Sequence, residues 1–148
     1  MIMKRTALPL DVASVNQSIG YLLRRASRRL REVTVPVLKD HDLSPLELTT
    51  LNLVHQNPDC VLRTLAHAVA VEPPAMNRIA NSLEDKGLIA RRKSKTDARY
   101  TYFSISPEGL EIMKTASAAV LELESGVLTA LTSEERASLF SALQKLTM

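Results

Sequence analysis

The stretch "LRTLAHAVAVEPPAMNRIANSLEDKGLI", residues 62–89, decides how the chain is read. Leu62, Leu65, Ala66 and Val69 repeat at helical spacing over two turns. Ala70-Val71-Glu72 then makes a tight connection, and Pro73 and Pro74 suit the opening of a second helix, because early helical positions lose no hydrogen bond to proline. That second helix ends at Lys86-Gly87, a cation at the negative end followed by a glycine cap. Two short helices joined by a tight turn form a helix-turn-helix unit.

On a helical wheel from Pro74 to Lys86, Met76, Ile79, Ala80 and Leu83 share one face and point to a core. Pro74, Asn77, Arg78 and Asn81 share the opposite face, flanked by Ala75 and Ser82. A short, polar, singly charged helix end suits a DNA major groove, where Asn pairs with adenine, Arg with guanine, and Ala touches a thymine methyl. Taken alone, the same pattern fits an ordinary amphipathic surface helix.

The next segment adds charge. Residues 88–93 and 99–105 read as two short strands around the loop 94–98. Arg91, Arg92, Lys93, Lys95 and Arg99 lie within nine residues and only Asp97 opposes them. A basic hairpin beside a polar helix end will follow a phosphate backbone, and a guanidinium at its tip, Arg99, suits a narrow minor groove. Asp97 is placed to orient that arginine.

Flanking helices follow from their caps. Residues 11 to the high thirties carry an apolar stripe through Val15, Ile19, Leu22, Leu30 and Val37, with a kink or break expected at Pro36. Arg24, Arg25, Arg28, Arg29 and Arg31 crowd its middle, as a solvated face or as a counter-charge for an anion. Ser44, Pro45 and Glu47 spell a capping box, Asn57-Pro58-Asp59 a turn, Ser106-Pro107 a helix start, and Thr132 with Glu135 another capping box. Met113, Ala116, Val120, Leu123, Val127 and Leu131 run at near-heptad spacing. A small winged domain cannot bury the apolar stripes of the first and last helices, so a homodimer interface is expected there.

The whole chain sets limits on function. It has 148 residues, 45% hydrophobic and 3% aromatic, which suits one mainly helical core. No apolar run reaches the roughly 18 residues of a membrane span, and the N-terminus lacks a secretory signal, so a cytoplasmic protein is expected. Cys60 is the sole cysteine and His41, His55 and His67 lack metal-ligand spacing. No phosphate loop, nucleophile elbow or acid-base pair is evident. No cofactor, metal or catalytic residue is therefore expected.

"LEDKGLIARRKSKTDARYTYFSISPEG", residues 83–109, resembles the MarR (multiple-antibiotic-resistance regulator) family around its pattern L-E-x-x-G-L-[IV]-x-R, then D-x-R, then L-T-x-x-G. Leu83, Glu84, Gly87, Leu88, Ile89 and Arg91 carry the first part, Asp97 and Arg99 the second, and Ile105, Ser106 and Gly109 the third. Upstream, residues 43–54 are similar to the family's second helix and residues 62–84 to its helix-turn-helix, and the resemblance covers nearly the whole chain. It implies a fold that is mainly α with a small β-hairpin wing (α+β): one chain over 1–148, a winged helix-turn-helix DNA-binding part at 42–106, and dimerisation helices at 11–40 and 107–148. It also implies a homodimeric regulator on a palindromic operator in double-stranded DNA, usually a repressor released by a small-molecule effector or by oxidation.

By position, Ala75, Asn77, Arg78, Asn81 and Ser82 match the family's base-reading stretch, with Arg92, Lys93, Lys95, Asp97 and Arg99 in the wing. An effector pocket is implied between the dimerising helices and the winged domain, where Arg24 and Arg25 would attract an anionic aromatic compound. Three departures stand out: Glu47 where many members have Gln, Ser106 where most have Thr, and Pro74-Ala75 in place of Ser/Thr residues at the recognition-helix start. The last motivates a competing reading, a winged-helix interaction module that has lost DNA binding. Cys60 motivates two more: a thiol-based redox-sensing regulator, and, together with the histidines, an enzyme.

Overall fold

A computed structural model of the chain describes residues 11–93 and 101–147. The elements are α1 (Ile19–Asp40), α2 (Pro45–Gln56), β1 (Cys60–Val61), α3 (Leu62–Val69), α4 (Pro73–Asp85), β2 (Ile89–Lys93), β3 (Thr101–Ile105), α5 (Pro107–Val127) and α6 (Ser133–Thr147). The architecture is mainly helical with one small antiparallel sheet, as the sequence predicts.

Most helix starts fall where their caps place them. Ser44 and Glu47 exchange both bonds of a capping box, with Pro45 in the first turn. Ser106 Oγ accepts from the Gly109 backbone N–H ahead of Pro107. Thr132 and Glu135 make the second box. The first helix differs from expectation at its start, and at Pro36 it is not broken. It begins at Ile19 rather than Asp11, because Ser18 is extended and accepts from the Tyr21 N–H, while Val15–Gln17 forms a separate 3-10 turn. It also runs unbroken through Pro36 to Asp40. Thr34 and Leu38, on either side of the proline, are buried and α1 packs on α5; this packing carries the helix past one lost hydrogen bond.

The sheet has a third strand that periodicity could not reveal. The order is β1-β3-β2, with Cys60 opposite Phe103 and Val61 opposite Tyr102 on one edge. On the other edge β2 pairs with β3 from Ile89↔Ile105 to Lys93↔Thr101. β1 is two residues long, too short to show an alternation.

The core belongs mainly to α2, α3, α4 and the sheet. Leu51, Met76, Ala80 and Leu83 are fully buried, with Val54 and Phe103 nearly so. From the long helices only Leu38, Met113 and Ala116 join it. α6 has no buried residue.

Candidate nucleic-acid interface

The turn between α3 and α4 is made without glycine. Ala70 adopts the left-handed conformation at φ 58°, its N–H bonds to His67 O, and the Val71 N–H reaches back to Ala66 O. Glu72 is extended, as a residue before proline prefers, and Pro73 and Pro74 open α4. The chain is thereby aimed so that Met76, Ala80 and Leu83 enter the core. Pro74, Asn77, Arg78 and Asn81 are left exposed, and Ala75 and Ser82 are half-buried at the flanks. Arg78 has no ion-pair partner among the described residues.

Ser82 faces inward. Its hydroxyl donates to Glu47 Oε1 at 2.7 Å, and Lys86 Nζ donates to the same oxygen at 2.9 Å. The other oxygen of Glu47 accepts from the Ser44 N–H at 2.7 Å. Burial by itself would raise the Glu47 pKa. The Lys86 ammonium, the Ser44 backbone N–H and the serine hydroxyls outweigh it and hold the carboxyl below the usual carboxylate range. Lys86 also donates to Asp42 O at 2.6 Å. The end of α4 is thus tied to the start of α2 through one buried carboxylate.

Strand alternation separates the wing cations. Arg91 turns toward α4, where its Nη2 donates to Asn81 Oδ1 at 2.5 Å and its Nε lies 3.1 Å from Glu84 Oε2. Arg92 turns the other way, 2.7 Å from Asp59 Oδ1 and over the Tyr102 ring. Lys93 is exposed at the end of β2. Of the wing residues singled out in the sequence, Lys95, Asp97 and Arg99 lie outside the described residues. The structure therefore leaves Asn77, Arg78, Asn81 and Lys93 exposed, engages Arg92 with Asp59, and turns Ser82 to Glu47. Sequence reasoning missed two braces, Glu47–Lys86 and Arg91–Asn81. Glu47 was legible as a cap, but nothing local marks its second oxygen as a partner of α4.

Arg24 and Arg25, expected from the sequence to attract an anionic effector, lie on α1. Both are exposed, with their guanidinium carbons 5.7 and 5.6 Å from the Tyr21 ring centroid, in a shallow basin of about 550 Å³ formed by α1 alone. A separate cleft of about 230 Å³ lies between α2 and α5, bordered by Leu48, Asn52, Ser117 and Leu121. Cys60 is half-buried, and burial pushes its thiol pKa up, the reverse of an activated thiolate. Among the described residues there is no group of three or more potential metal ligands, and no helix long and apolar enough to cross a membrane.

Comparison with known proteins bears on this geometry. The sequence profile described as "MarR family" matches residues 43–101. The HTH-type transcriptional repressor Rv2887 of Mycobacterium tuberculosis is 31% identical over 128 residues, spanning 86% of this chain and 92% of that protein. A crystal structure of Rv2887 in complex with salicylic acid superposes with a TM-score of 0.70 at 31% identity, covering 87% of this chain and 96% of that one. The transcriptional repressor CouR, solved on a 23-mer DNA duplex, has the same fold: TM-score 0.88, 23% identity, and 95% and 100% coverage. Mb2911 of Mycobacterium bovis, also 31% identical over 128 residues, is likewise an HTH-type transcriptional repressor.

Proposed function

Since the chain belongs to the MarR family of transcription regulators, we propose that it acts as a homodimeric, sequence-specific DNA-binding repressor. The observation that carries the reading is the exposed face of α4, with Asn77, Arg78 and Asn81 beside a basic wing strand. In this reading Ala75, Asn77, Arg78 and Asn81 enter the major groove, and Ser82 supports them from behind through Glu47. Arg92, Lys93, Lys95 and Arg99 follow the flanking backbone, with Asp97 orienting Arg99. Arg92 would exchange Asp59 for a phosphate, which is cheap because exposed ion pairs contribute little, about 0–1 kcal/mol.

Residues 42–106 form the DNA-binding part, and 11–40 with 107–148 form the dimer. Support comes from apolar side chains left uncovered on α1 and α6: Ile19, Leu22, Phe140 and Leu146 are all exposed. A two-fold dimer presents two α4 helices and so calls for a palindromic operator. A small aromatic anion is the proposed effector, supported by the salicylic acid complex of Rv2887. The α2–α5 cleft, bounded by both units, is a better candidate for it than the Arg24–Arg25 basin.

The test is selection of duplexes from fragmented genomic DNA with the purified protein, followed by binding titrations across salt. A palindromic motif and a log-log salt slope of about −0.9 per phosphate contact are expected. A selection that enriches nothing would favour a protein-interaction module instead.

A further inference from the structure

Arg91 is held more firmly than a surface arginine needs to be. Its Nη2 donates to Asn81 Oδ1, its Nε pairs with Glu84 Oε2 at 3.1 Å, and its guanidinium lies 5.4 Å from the centroid of Phe103. Phe103 is 1% exposed, so the far end of this contact chain is the core itself. The side chain, rooted on β2, is thereby fixed against β3 and against two residues one turn apart on α4. A guanidinium carries only donors. The amide oxygen, the sole acceptor on the Asn81 side chain, is therefore the atom that must turn to Arg91. The NH2 group has no hydrogen-bond partner among the described residues, and Asn81 is exposed.

We propose that Arg91 is a positioning residue for specificity: it presents Asn81 to the major groove as a hydrogen-bond donor. This rests on the DNA-binding reading above. Asn81 then pairs with a base-edge acceptor; guanine O6 and thymine O4 distinguish their bases, whereas N7 is common to guanine and adenine. The bidentate contact of asparagine with adenine needs the amide oxygen on the same base edge as the NH2 group, and that oxygen is turned to Arg91. Asn77, which has no such partner among the described residues, remains available to adenine.

The experiment compares the unaltered protein with Asn81→Ala, Asn81→Asp, Arg91→Ala and the Asn81→Ala/Arg91→Ala double variant, by duplex selection and competition binding. The base pair facing Asn81 is the one whose preference Asn81→Ala flattens; if it is an A·T pair, binding should be unchanged when the adenine is replaced by 2-aminopurine, which still pairs with thymine but lacks the 6-amino group, because Asn81 offers that group no acceptor. Arg91→Ala should relax preference at that same pair by about tenfold, and the double variant should lose no more than the worse single one. Asn81→Asp keeps a partner for Arg91, so its thermal stability should match the unaltered protein, yet it should lose the preference because a carboxylate donates nothing. Arg91→Lys, which retains charge but not the fork, gives the same readout if Arg91→Ala does not fold.

Binding that weakens when an adenine at that pair is replaced by 2-aminopurine, a preference that survives Asn81→Asp, single effects that multiply in the double variant, or uniform weakening of all duplexes by Asn81→Ala would each overturn the proposal. In those cases the DNA-binding reading stands. A chain that enriches no motif at all overturns both.

Discussion

Glu47 shows how one side chain serves two purposes. As the third residue of α2 it completes a capping box with Ser44, and as a 6%-exposed carboxylate it accepts from Ser82 and Lys86 of α4. Glu47→Ala removes the cap bond and leaves the Lys86 ammonium and the Ser82 hydroxyl without this acceptor. A loss of about 2 kcal/mol in denaturant unfolding is expected. The carboxyl titrates lower in the folded chain than its ordinary value of 4.5. Its contribution to stability is therefore complete above pH 4.5 and fades as pH falls from there through the lower folded value. Glu47→Gln, which cannot titrate, should show a shallower loss of stability between neutral pH and about pH 3. An acid profile identical to that of the unaltered protein would mean that the carboxylate is not what couples α2 to α4.

At the scale of elements, two junctions decide whether α4 and the wing are held correctly. The first is the α3–α4 turn, where Ala70 sits at φ 58° although alanine disfavours that region. Ala70→Gly relieves the strain, and a net gain of roughly 1 kcal/mol in stability is expected, with DNA affinity unchanged. The second is the contact of α5 with the start of the wing. A Cβ on Gly109 would collide with the Leu88 carbonyl oxygen, a backbone atom that the Ser106 N–H already engages at 3.0 Å. Gly109→Ala must part α5 from the wing, and a loss of about 3 kcal/mol is expected from thermal or denaturant unfolding. Wild-type stability in that variant would show that the junction is looser than its spacing.

For the molecule as a whole, apolar side chains stand uncovered on α1 and α6. Phe140 and Leu146 on α6 are 53% and 69% exposed, and Ile19 on α1 is 68% exposed. The proposed homodimer would cover this apolar surface. Phe140→Asp combined with Leu146→Asp should yield a monomer in sedimentation, with its helix-turn-helix core still folded and operator binding reduced at least about tenfold, because half of the paired contact is lost. A dimer that survives both changes would move the interface elsewhere.

Much of this protein was legible in order along the chain. Caps at Ser44, Ser106 and Thr132, prolines at 45, 73 and 107, and the glycine after Lys86 each act within a few residues, so their sequence placed most helices of the fold. The face of α4 was legible too, since helical periodicity alone sorts Met76, Ala80 and Leu83 from Asn77, Arg78 and Asn81. Contacts between distant segments were not. β1 exists only because β3, far along the chain, offers it an edge, Cys60 against Phe103. α1 crosses Pro36 because its C-terminal half is packed on α5. Ser82 turns inward and Asn81 turns its oxygen to Arg91 because acceptors and donors from α2 and β2 meet them there. Local sequence sets which backbone bonds a segment can satisfy by itself; the remaining side-chain bonds are settled only when folding brings their partners within about 3 Å.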